Sequence, residues 1–133
     1  MFIELNGKSY QLRHTLGVAK KLEDKFKKTT TEIMAELKNA TIDEMTSMLA
    51  IALEDSSQET ALKDDLLDHA DLFEVSGYCD ELLMRICFGG TPQQQEEKIQ
   101  AFPASARRKD LMRRVLKLPI PSTSEELSEQ ATE

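Results

Sequence analysis

The segment Ala70–Gly90, A-D-L-F-E-V-S-G-Y-C-D-E-L-L-M-R-I-C-F-G-G, constrains this chain more than any other stretch. Leu72, Phe73, Val75, Cys79, Leu82, Leu83, Ile86 and Cys87 recur at steps of three and four, which predicts a helix buried along a wide face. Asp71, Glu74, Asp80 and Glu81 give it an acidic outer face. Gly89-Gly90 can take left-handed dihedrals and end it, and Thr91-Pro92 reads as the cap and first turn of the next helix. Gly77 costs about 1 kcal/mol relative to alanine in a helix interior, and its expected use is close contact with a crossing helix. No other segment is as apolar, so the remaining elements are expected to pack against this one.

The chain before it alternates short patterned runs with capping signals. Phe2–Leu5 and Ser9–Arg13 flank Asn6-Gly7, a strong local hairpin signal because both turn positions tolerate positive φ. Ile3 and Leu5 then share one face of the first strand, and Tyr10 and Leu12 share one face of the second. A lone hairpin is marginal in water, so this apolar face is expected to rest on helices. The first helix is predicted over Thr15–Lys28, with Leu16, Ala19, Leu22, Glu23 and Phe26 inward and a basic outer surface. Shorter helices follow over Glu32–Lys38, Ile42–Glu54, opened by the capping box Thr41/Glu44, and Gln58–His69. Whether the last of these runs on into the 70–90 helix or breaks near Ala70–Asp71 is left open by the pattern.

Beyond Gly90 the spacing predicts a polar helix over Gln93–Phe102, stopped by Pro103, and a basic amphipathic helix over Ala106–Leu118 capped by Ser105. Residues 122–133 are Ser, Thr, Glu, Gln and Ala with one Pro-flanked start and a single leucine, too polar to order themselves. The predicted architecture is mainly α with a small N-terminal β-hairpin (α+β). It is one domain over 1–118 with about six or seven helices and the hairpin at 2–13, followed by a disordered acidic tail over 119–133.

Charge separates along the chain. Residues 1–28 carry seven basic and three acidic side chains, residues 29–98 four and sixteen, and residues 99–118 six and one. The total, −7, disfavours general nucleic-acid binding and anionic membranes. No run approaches the about 20 apolar residues of a membrane span, and the opening M-F-I-E-L-N-G-K turns polar too soon for a signal peptide. Cys79 and Cys87 lie about 12 Å apart along one helix by rise, too far to pair directly, and are expected to be reduced and buried as in a cytoplasmic protein.

Groups for chemistry are sparse. His14 and His69 are the two histidines, and neither sits in a cluster with ligand spacing. Asp64, Asp65 and Asp68 read as the wet face of a helix rather than a metal site. Gly89-Gly90 lacks the lysine and hydroxyl of a phosphate loop, and no serine has the glycine flanks of a nucleophile elbow. No catalytic residue, metal or cofactor is assigned, and no enzyme activity is expected. Two features point instead to protein binding. Met34, Met45, Met48, Met84 and Met112 fall on predicted helical faces, where flexible thioethers suit adaptable apolar contacts, although they can equally fill a core with few aromatics. Arg107, Arg108, Arg113 and Arg114 surround the stripe of the last helix, suited to an acidic partner or to the chain's own acidic middle.

The opening F-I-E-L-N-G-K-S-Y-Q-L-R-H-T-L-G-V-A-K-K-L-E resembles the start of small tail assembly chaperones of long-tailed phages and prophages of Gram-positive bacteria. The matching residues are Asn6, Gly7, Lys8, Tyr10, Leu12, Arg13, Leu16, Gly17 and Leu22-Glu23. The Leu82-Leu83 to Phe88-Gly89-Gly90 stretch resembles the helix and glycine stop that close such domains. In layout the likeness covers about residues 2–90, and its distinctive part is the first twenty-odd. It implies a helical protein of the bacterial host cytoplasm that binds and solubilises the tape measure protein during tail morphogenesis and is absent from the mature virion. The tail tube protein and further copies of the chain are candidate additional partners. The family also implies a longer form made by frameshifting and no catalytic residues. The alternatives to this reading are a structural tail or connector component of the virion, or a small DNA-associated regulatory protein.

Overall fold

A computed structural model describes residues 1–120 of the chain. The expected disordered tail lies outside the described residues from position 121 onward. The described chain is mainly helical with a two-stranded antiparallel hairpin, as the sequence predicts. Strands β1 (Phe2–Leu5) and β2 (Lys8–Gln11) pair with Ile3 opposite Tyr10. Asn6 and Gly7 join them at φ of 52° and 75°, the two positive values that a type I′ turn requires. The helices are α1 (Leu16–Phe26), α2 (Thr30–Glu36), α3 (Ile42–Ile51), α4 (Glu59–His69), α5 (Leu72–Cys87), α6 (Pro92–Ala101) and α7 (Ala106–Val115).

Helix starts follow side-chain chemistry closely. Thr29, Thr41, Asp71 and Thr91 each accept a bond from the third helical residue, whose Glu or Gln reaches back to the cap's own N–H. Such caps contribute about 1 kcal/mol apiece, and they fix where each helix begins. Asp71 settles the break that the pattern left open: Ala70 is extended, and α5 starts afresh at Leu72. At the other end of α5, Gly90 takes φ of 103°, closed to residues with a Cβ, whereas Gly89 does not need such freedom.

The chain divides into two compact units, Met1–Gly89 and the segment from Gly90 onward, a boundary inside the span expected to form one domain. The first unit holds a continuous apolar core. Ile3, Leu5, Tyr10 and Leu12 of the hairpin face inward, and Val18, Leu22, Ile33, Leu49, Leu62, Leu66, Leu82 and Leu83 come from all five of its helices. The hairpin is tied to the turn after α3: Arg13 N–H donates to Ala52 C=O at 2.7 Å and Glu54 N–H to Gln11 C=O at 2.9 Å.

The helix enclosed on every side is α3, not α5. Met45 through Ala50 are all buried, and α3 packs against α1, α4 and α5. Its small residues Thr46, Ser47 and Ala50 let neighbours approach on faces that larger side chains would hold apart. In α1 the inward residues are Val18, Ala19 and Leu22, with Phe26 half-buried; Leu16, expected inward, occupies the first helical position and is exposed.

In the second unit α6 packs against α7. Arg113 Nε and Nη2 donate to the two carboxylate oxygens of Glu96, both at 2.8 Å, and Nη1 donates to Asp110 at 2.7 Å. Lys109 Nζ donates to Gln100 C=O at 2.8 Å. These bonds join the two helices, whose buried apolar residues include Ile99 and Met112.

Candidate functional site

The residues read from sequence as candidate binding groups divide by position. Met45, Met48, Met84 and Met112 are buried, and only Met34 is half-buried. Met45, Met48, Met84 and Met112 therefore fill the core of a chain with few aromatics rather than line a surface. Arg113 is buried with every guanidinium direction engaged by Glu96 and Asp110, so it is a structural residue and not a free contact group. Arg107, Arg108 and Arg114 are exposed, and with exposed Leu111 they share the outer side of α7.

A different set of apolar residues reaches solvent; Phe2 and Leu16 do so near the N-terminus, and four others lie at or beside the start of α5. Phe73 is 88% exposed, Leu72 and Leu67 are 61% exposed, and Ile42 is 54% exposed. Both Ile42 and Leu72 follow directly on a capping residue, Thr41 and Asp71. Leu72 and Phe73 lie in the first turn of α5 and are exposed, whereas Val75, Cys79, Leu82 and Leu83 are buried. Leu67 faces out because its neighbours on α4, Leu62, Asp65 and Leu66, face in.

Ile42, Leu67 and Leu72 border a cleft of about 100 Å³ whose floor includes Met45, Leu66, Ala70 and Val75. It is a hole framed by three helices, of the kind that accepts one side chain from a packing helix. On the other side of α5, Phe73, Ser76, Gly77 and Asp80 lie at steps of three and four along one helical stripe. That stripe borders a second, shallower depression of about 430 Å³ with Met34, Ala35, Leu37 and Lys38. Gly77, expected to meet a crossing helix, meets none: a Cβ built there has no heavy atom within 4 Å. The start of α5 is thus a ridge between two depressions, apolar at its crest.

The surroundings are strongly acidic. From Ala40 to Met84 the chain carries twelve carboxylates and a single Lys or Arg, Lys63, which pairs with Glu59 at 3.4 Å. Asp43, Asp64, Asp68 and Glu74 are at or near the surface without a basic partner among the described residues. Burial first, then the charges of Glu74, Glu81 and Asp71, push the Tyr78 phenol up. Asp65 is the exception to the wet face expected for α4. It is buried and accepts a hydrogen bond from the Tyr10 phenol, with Lys8 Nζ at 3.7 Å.

The two thiols also differ from expectation. Cys79 is buried, its thiol donating to Met45 C=O at 3.4 Å, and burial pushes it up to about 12. Cys87 is exposed on the last turn of α5, with Sγ 3.3 Å from Met34 Sδ. The periodicity places both on one apolar side, but only Cys79 is enclosed there. Among the described residues, no group of three or more His, Cys, Asp or Glu is placed to hold a metal ion, and no helix is long and apolar enough to cross a membrane. Comparison with protein-family models, curated proteins and solved structures finds no match to this chain.

Proposed function

We propose that this protein is a tail assembly chaperone, binding the long helical tape measure protein of a phage or prophage and holding it soluble while the tail assembles. The observation that carries the reading is the apolar crest at Leu72 and Phe73, beside Ile42 and Leu67. Large side chains exposed together, next to a hole between helices, suit a helical partner better than a small-molecule substrate. The N-terminal likeness to such chaperones agrees in layout with the hairpin and helices of the first unit. A partner with repeated apolar stripes offers many equivalent docking places, so many copies of one small domain shield it along its length. The net charge of −7 keeps such an assembly soluble.

The test is co-expression with a phage tape measure protein, taken from the long reading frame that this proposal expects next to the chain's own gene. A soluble complex with several copies of this protein per partner chain supports the reading. An insoluble partner, with this protein retained stoichiometrically in purified particles, rejects it in favour of a structural component of the virion.

A further inference from the structure

The cleft between α3, α4 and α5 restricts the chemistry of what docks there. Its interior is apolar, with Ile42, Leu67 and Leu72 at the rim and Met45 and Val75 at the floor. Thr46 and Asp71 also line the cleft, and further carboxylates adjoin the lining residues on all three helices. Asp43 follows Ile42 on α3, Asp64 and Asp68 flank Leu67 on α4, and Asp71 and Glu74 form the cap of α5. The two Lys or Arg side chains on these helices are both engaged, Lys63 by Glu59 and Arg85 by Glu81. Asp43, Asp64, Asp68 and Glu74 form no ion pair among the described residues, so a docked helix meets uncompensated negative charge.

We infer that the cleft takes an amphipathic helix of a partner protein, not of a second copy of this chain, whose apolar stripe is flanked by lysine and arginine. One apolar side chain of that helix fills the hole between Ile42, Leu67 and Leu72, and its neighbours rest on Phe73. The flanking cations lie against Asp43, Asp64, Asp68 and Glu74. Each element has a physical purpose. The apolar insertion supplies affinity, while the cations raise the encounter rate and exclude acidic or neutral helices, for which like charges or unpaired carboxylates would be brought together. This deepens the docking site proposed above by naming the partner's charge, and it rests on that site.

The test uses the full chain and designed peptides of about 20 residues, long enough to be helical. One has a leucine stripe flanked by lysines, one the same stripe flanked by glutamates, and one the lysines with alanine in place of leucine. Fluorescence anisotropy of labelled peptides is followed at low and physiological salt. The expected result is that the lysine-flanked leucine helix binds at least about tenfold more tightly than either other peptide. Leu67→Ser with Leu72→Ser abolishes this binding. Asp64→Lys with Asp68→Lys narrows or reverses the preference. All four residues are exposed, and circular dichroism confirms that each variant is folded.

Equal binding of the acidic helix overturns the inference. So does equal binding of the alanine peptide, which would reduce it to charge attraction, or binding that survives loss of Leu67 and Leu72. Assembly of the protein alone into oligomers that Leu111→Glu dissociates would also overturn it, because the occupant would then be the basic α7 of a second copy. The chaperone reading is judged separately by solubility on co-expression. A peptide preference that holds while the tape measure protein precipitates rejects the chaperone reading alone, and the converse rejects the inference about charge alone.

Discussion

The Tyr10 phenol donates a hydrogen bond to Asp65 Oδ2 inside the core, joining β2 to α4 across 55 residues of sequence. Burial and this bond push the phenol up to about 12. The bond fixes the rotation of α4. With Asp65 and Leu66 turned inward, Asp64, Leu67 and Asp68 are turned out towards the cleft rim. Tyr10→Phe should therefore destabilise the first unit by about 1–3 kcal/mol, the cost of leaving a buried acceptor short of its donor. Urea denaturation followed by circular dichroism measures this, and an unchanged midpoint would show that the bond is dispensable.

Gly77→Ala should raise stability by about 1 kcal/mol, because the position is helical and an added methyl meets nothing within 4 Å. The same methyl narrows the depression beside Phe73, so partner binding should weaken as stability rises. Thermal melts and peptide titrations read the two effects separately. A loss of stability would mean that something packs on Gly77 after all.

The local half of this fold is legible in the sequence. Asn6-Gly7, Thr41/Glu44, Ser105 and the three-and-four spacing each act within a few residues, and hairpin, caps and helices appear where those signals place them. What surrounds an element is decided elsewhere in the chain. Asp65 looks like one of three wet aspartates until Tyr10 is brought to it. Leu72 and Phe73 fit the apolar spacing of α5, yet both are exposed. The exposed site was missed for the same reason. Its one local trace is that Ile42 and Leu72 follow directly on caps, ahead of the stripes their helices bury.

Thiol labelling should separate the two cysteines. Cys87 is accessible and Cys79 is enclosed, so native protein should take up one equivalent of a maleimide, and the second only on unfolding. Burial raises the Cys87 thiol, so its labelling should quicken as pH is raised above neutrality. Labelling of neither cysteine, or of both at one rate, contradicts these positions.

Acid should loosen the second unit through Glu96. The guanidinium of Arg113 beside it holds its carboxyl below the ordinary 4.5. A carboxylate depressed by folding adds stability that is complete above its unfolded value and lost as pH falls through the folded one. Stability should thus decline below about pH 4.5, and Glu96→Gln should flatten that decline. Arg113→Ala should cost about 2–3 kcal/mol at neutral pH, since it strands two carboxylates that Arg113 now engages. An unaltered acid profile in Glu96→Gln would show that the pair contributes nothing.

The claim that the crest of α5 holds the partner is tested most directly by co-expressing the tape measure protein with wild-type chain or with the Leu72→Ser, Phe73→Ser double variant. Both side chains are largely solvent-exposed, so the variant should melt within about 0.5 kcal/mol of the wild type. The account predicts soluble tape measure protein with the wild type and precipitated tape measure protein with the equally folded variant. Equal solubility with both would contradict it and place the contact elsewhere on the molecule.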